Sequence, residues 1–141
     1  MSTETARRVD FYILSEDTPR ARALFACRLT EKAWRSGVRV FLLLGDHARQ
    51  EELDQLLWSF RPGSFLPHGG ADSDEPIRLG LQPPADTDLL LINLSPTMPE
   101  NWADYTRLAE IIDTDPAVRA AGRERFRRYR DGGREPVSHK L

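Results

Sequence analysis

The chain has 141 residues, 40% of them hydrophobic and 30% charged, with a formal net charge of −2, which supplies one apolar core and leaves too little chain for a second folding unit. The longest apolar runs, residues 38–45 and 89–94, fall far short of the ~20 residues that cross a bilayer. Residues 1–10 lack the apolar stretch and small-residue cleavage site of an export signal, and Cys27 stands alone, so no intramolecular disulfide or multi-cysteine metal site is expected and the cytoplasm is the default compartment.

In chain order, VDFYIL at residues 9–14 predicts a strand. Thr18 at the N-cap and Pro19 at the first helical position open a helix that runs to Ser36 and stops at Gly37. Residues 38–44 barely alternate, as in a strand covered on both faces. Gly45 and Asp46 then turn the chain into a helix over 46–58. From 61 to 84 the nine prolines and glycines, among them Pro62, Gly69 and Pro84, predict an irregular region with one short strand at 77–79. Strands at 89–94 and 108–112 follow, then a helix from Pro116 to about Gly132. The sum is a single-domain α/β fold, an open, mostly parallel sheet with helices on both faces, with 1–8 and 134–141 expected as flexible tails.

Such sheets commonly bind nucleotides, but this chain lacks the residues for that chemistry. Lys32 and Lys140 are the only lysines and neither follows a strand in a glycine-rich turn; no G-x-G-x-x-G occurs. The histidines, at 47, 68 and 139, show neither metal-ligand spacing nor a nucleophile partner. Cys27 reads as a core thiol seven residues before Trp34, and Asp46-His47 as a helix cap beside a surface imidazole. No cofactor, metal or catalytic residue is expected. A degenerate nucleotide-binding enzyme domain stays as one alternative and a direct binder of single-stranded DNA as another.

Two surfaces carry more. Between Arg119 and Arg134 seven arginines stand against Glu124 and Asp131, a local charge of +5 in a chain of −2, which favours anionic partners. At 100° per residue, Arg119, Arg123, Phe126, Arg127 and Arg130 share one arc, and Val118, Gly122 and Tyr129 share the core-directed arc beside it. Guanidinium forks beside an aromatic ring suit an acidic peptide with an aromatic end; the plain alternative is a solvated helix face. Leu53, Leu56 and Leu57 form the buried stripe of the second helix, and Trp58 points away from it, followed by Phe60, Phe65 and Pro67. Neighbouring exposed aromatics mark a protein interface unless the loop folds back over them.

The stretches VDFYIL, EKAWRSGVRV, LDQLLWSFRPGSFLPH and RERFRRYR, in this order, resemble the chi subunit family of bacterial DNA polymerase III, from Val9 to about Gly133. The resemblance implies a nucleotide-binding-like fold without catalysis and an adaptor role in DNA replication at the replisome. One face would bind the psi subunit, which attaches to the clamp loader. Another would bind the acidic C-terminal tail of single-stranded DNA-binding protein (SSB), which ends in an aspartate cluster and a Pro-Phe pair. The implied tail site is Arg119, Arg123, Phe126, Arg127, Tyr129 and Arg130 with Ile112 nearby; the implied psi site is Trp58 and Phe65 with Pro67 and His68 adjoining. A repair helicase is expected to compete with psi, and DNA to be met mainly through SSB. Phe126 stands where a tyrosine is common, and Arg119 and Arg127 where lysines are, which keeps the charge and changes its geometry.

Overall fold

The computed structural model describes residues 8–16, 18–63 and 65–141; residues 1–7, most of the expected N-terminal tail, lie outside them. In chain order the elements are β1 (Arg8–Ile13), α1 (Pro19–Arg35), β2 (Val40–Leu43), α2 (His47–Ser59), β3 (His68–Gly70), β4 (Ile77–Gly80), β5 (Leu90–Asn93), a short 3₁₀ turn (Trp102–Asp104), β6 (Arg107–Ile112), α3 (Pro116–Asp131) and β7 (Val137–Lys140). The described strands form one sheet in the order β3-β4-β2-β5-β6-β1-β7, and every pairing in it is parallel. That is the expected α/β class.

The helix boundaries follow from local chemistry. The Thr18 side chain accepts from the Ala21 amide and Asp46 from that of Arg49, while Asp115 takes both Ala117 and Val118, so each helix has orphan amides satisfied at its start. Gly37 follows α1 at φ 84°, the left-handed conformation that glycine adopts without a Cβ penalty.

Strand alternation separates two cores. Val40, Leu42, Leu90, Ile92, Ala109 and Ile111 face one side, under Ala26 and Cys27 of α1 and Leu53 and Leu57 of α2. Phe41, Leu43, Leu91, Leu108, Val9 and Phe11 face the other, under Tyr129, Val118 and Phe126 of α3. Cys27 is fully buried, and burial pushes its thiol up to about 12, so it is the inert core thiol its spacing suggested. Among the described residues, no helix is long and apolar enough to cross a membrane.

Two strands were not legible in the sequence. His68–Gly70 pairs with β4 inside the stretch read as loop. Residues 137–140, expected within a flexible tail, instead pair with Asp10–Ile13 of β1, and the Leu141 amide donates to the Ile13 carbonyl. His139 Nε2 lies 2.8 Å from Asp10 Oδ1 and its ring stacks on Tyr12 at 4.8 Å between centroids. This edge strand is therefore anchored by side chains as well as by its ladder.

Candidate functional site

α3 is fixed to the sheet by a buried polar cluster. Glu110, in the middle of β6 and 0% exposed, forms an ion pair with Arg125 of α3 at 3.0 Å. Its Oε2 accepts from the Tyr129 hydroxyl at 2.7 Å and from Asn93 Nδ2 at 3.0 Å. Burial, then the Glu110 charge, holds the Tyr129 phenol well above its ordinary pKa. Trp102 packs edge-on against Tyr129 and Phe11 meets Phe126, both at 5.1 Å between centroids. Aromatic pairs of this kind contribute about 0.5–1.5 kcal/mol each beyond area burial.

Two sequence expectations change here. Tyr129 is fully buried and spends its hydroxyl on Glu110, so it has no surface for a ligand and serves to seat the helix. Helical periodicity places it toward the core, as found, whereas the resemblance implies a place in the tail site. Arg125, counted in the cationic row, is buried and neutralised by Glu110. The spacing of Gly122, Arg125 and Tyr129, which are the buried positions of α3, is i, i+3, i+7 and marks one inward face.

With α3 seated over β6 and β1, a hollow of about 290 Å³ opens between the helix and the β7 edge. Arg119, Gly122, Arg123 and Phe126 form the helix side, Phe11, Ile13 and Ile112 the floor, and Ser138 and Lys140 the far side. Gly122 permits this close approach: a Cβ there would stand 2.7 Å from Ile112 Cδ1, so the isoleucine side chain would have to shift. Arg119 Nε donates to the Asp113 carbonyl at 3.3 Å, which orients its guanidinium from the helix start. Arg119 and Arg123 are both exposed.

The outer part of the arginine row is arranged differently. Arg127 and Arg130 are exposed but do not line the hollow; Arg127 lies 3.3 Å from Glu124, and Arg130 lies 3.9 Å from Asp131. Of the residues implied for the tail site, the structure thus brings Ile112, Arg119, Arg123 and Phe126 around one cavity. Sequence reasoning missed Phe11, Ile13, Ser138 and Lys140, because the strand pairing that brings β7 beside β1 leaves no local trace.

At the other end of the sheet, Leu53, Leu56 and Leu57 are buried while Trp58 is 51% and Phe65 72% exposed. The loop does not fold back over these two rings. Phe65 sits at φ 42°, a left-handed conformation that bulky residues rarely adopt. Such strain persists where the surroundings impose it, and functional surfaces are one such place. His68 is buried beneath Trp58, ring centroids 4.4 Å apart, with Nδ1 2.8 Å from the Leu66 carbonyl oxygen and Nε2 3.0 Å from Asp54 Oδ1. It therefore supports the tryptophan from below; Pro67 is half-buried beside it.

The carboxyl ends of the strands, where nucleotides sit in this class of fold, hold a cleft of about 260 Å³ lined by Arg22 and Arg49 but also by Glu52, Asp113 and Asp115. The cap side chains already occupy amides at all three helix starts, which would otherwise face an anion.

The sequence matches the family model described as "DNA polymerase III chi subunit, HolC" over residues 7–136. The chain belongs to that family. Relatives named DNA polymerase III subunit chi include one from Pseudomonas aeruginosa, 45% identical over 137 residues that cover 95% of this chain and 96% of the relative. One from Haemophilus influenzae is 30% identical, covering 89% and 91%, and one from Escherichia coli is 25% identical, covering 90% and 93%. The family match includes α3, Ile112, Trp58 and Phe65, and ends one residue before β7.

Proposed function

We propose that this chain is a non-catalytic accessory subunit of the DNA polymerase III complex in DNA replication, an adaptor that holds one partner at each end of its sheet. At the β7 end the hollow takes the acidic C-terminal tail of SSB. Arg119 and Arg123 pair with its carboxylates, where charge-assisted guanidinium bonds are strongest, and its last phenylalanine enters the apolar floor at Phe11, Ile112 and Phe126. At the β3 end Trp58 and Phe65 dock the psi subunit, which attaches to the clamp loader, and a repair helicase competes for the same rings. The protein works in the cytoplasm at the replisome and meets DNA through SSB.

The observation that carries this reading is a cationic, apolar-floored hollow beside β7 and a pair of bare aromatic rings beside β3, the two outermost strands. Six inter-strand spacings of ~4.8 Å separate them by roughly 29 Å, enough for two partners to bind at once.

The test is a titration of a synthetic peptide carrying an aspartate cluster and a terminal Pro-Phe against wild type and Arg123→Ala, with copurification of psi measured for wild type and Trp58→Ala. Arg123→Ala should weaken the peptide and spare psi; Trp58→Ala should do the reverse. Equal peptide affinities, or psi retained by Trp58→Ala, would remove the corresponding site. Tight binding of bare single-stranded DNA, or saturable ATP binding, would favour the DNA-binding or nucleotide-binding alternative.

A further inference from the structure

Three strands set the floor of the hollow in register. Ile112 of β6 pairs with Ile13 of β1, and Ile13 pairs with Lys140 of β7; two residues back on each strand, Glu110, Phe11 and Ser138 form the next row on the same face. Side chains two apart on a strand share a face, so Ser138 and Lys140 stand on the α3 side of the sheet, beside Phe11 and Ile13. α3 packs over β6 and Phe11, which leaves β7 uncovered on that side, and the cavity is the space so formed. Lys140 is exposed and makes no ion pair among the described residues.

We propose that β7 is the second wall of the peptide site, with the Lys140 ammonium gripping a carboxylate of the acidic chain end from the side opposite Arg119 and Arg123. This rests on the tail-binding reading and adds to it a cation from a different element. An acidic chain lying in the hollow has apolar surface below it and positive charge on both flanks, so its carboxylates are held across the groove as well as along α3. The His139 contact to Asp10 and the stacking on Tyr12 keep the wall in place: alternate residues of β7 serve the two faces, His139 locking the strand from one while Lys140 points into the site from the other. Lysine supplies a mobile point charge here, complementing the planar forks across the groove.

The experiment uses the full chain and the same aspartate, Pro-Phe peptide at low and high salt. The variants are Lys140→Glu, Lys140→Arg, Arg123→Ala and, as a charge-matched control on the exposed last turn of α1, Lys32→Glu. Lys140→Glu should weaken binding roughly five- to tenfold at low salt, since an exposed pair is replaced by a repulsion. Lys140→Arg should keep wild-type affinity, Lys32→Glu should change it less than about twofold, and the Lys140→Glu deficit should shrink near 1 M salt, where screening acts within ~3 Å. If Lys140→Glu does no more than Lys32→Glu while Arg123→Ala still weakens the peptide, the second wall is wrong and the tail site stands. If neither Arg123→Ala nor Lys140→Glu weakens it, the tail reading falls and the wall falls with it.

Discussion

Replacing Arg125 by methionine tests the account of how α3 is held. The substitution keeps apolar bulk but leaves Glu110 in a site with 0% exposure and without its cation. Breaking a buried pair from one side costs about 3–5 kcal/mol, because the surviving charge is neither hydrated nor neutralised. Tyr129 and Asn93 still donate to the carboxylate, which places the expected loss near 3 kcal/mol. With an unfolding entropy of ~2.1 cal/mol/K per residue, a chain of 141 residues converts that into a fall in Tm of roughly 10 °C. Urea unfolding at neutral pH and a thermal melt give the two quantities independently. The double variant Glu110→Gln/Arg125→Met removes both charges and should regain much of the loss, a coupling read from the double-mutant cycle. A single variant within about 1 kcal/mol of wild type, or a double variant no better than the single, would refute the view that this pair clamps the helix.

Other outcomes follow from single features. Burial alone would raise the Asp10 carboxyl, but hydrogen bonds and charge from Arg8 and His139 more than offset it, so its folded pKa lies below the ordinary value. A depressed carboxylate stabilises the fold above its unfolded pKa of about 4 and loses that contribution as pH falls through the folded value. Asp10→Asn should therefore show a shallower loss of stability in acid than wild type; superimposable acid limbs would contradict this. Cys27, buried and with its thiol pushed up to about 12, should resist Ellman's reagent at neutral pH until urea unfolds the chain, whereas prompt stoichiometric reaction would mean the α1 face is open. Phe65→Asn places a residue tolerant of left-handed backbone at φ 42° and removes an exposed ring. Stability should stay within about 1 kcal/mol while psi copurification is lost, and a large destabilisation would mean the ring is structural.

What the sequence could convey depended on how far each element's reasons were local. β2 and β5 announce themselves as apolar runs, and the α1 and α3 boundaries follow from Thr18-Pro19, Gly37 and Pro116, because caps and fixed φ act within a few residues. β3 is three residues, His-Gly-Gly, with little intrinsic strand preference; it exists because β4 offers it an edge. β7 is polar on an exposed edge and owes its place to pairing across 127 positions, Val137 on Asp10. The same distance hid half of the hollow: Arg119, Arg123 and Phe126 could be gathered from helical spacing, but Ser138 and Lys140 reach them only through that pairing. The buried Glu110–Arg125 pair did leave a trace, a carboxylate inside the apolar run LAEII, and a lone acid on a covered strand calls for a cation from whatever covers it.

Which surface receives the acidic chain end can be read residue by residue from amide and methyl chemical shifts of isotope-labelled protein titrated with the aspartate, Pro-Phe peptide. The account predicts saturable changes at Ile13, Ile112, Gly122, Arg123, Phe126 and Lys140, with Trp58 and Phe65 unmoved. Changes centred on Trp58 and Phe65, or spread evenly over exposed arginines with no effect at Ile13 and Ile112, would contradict it.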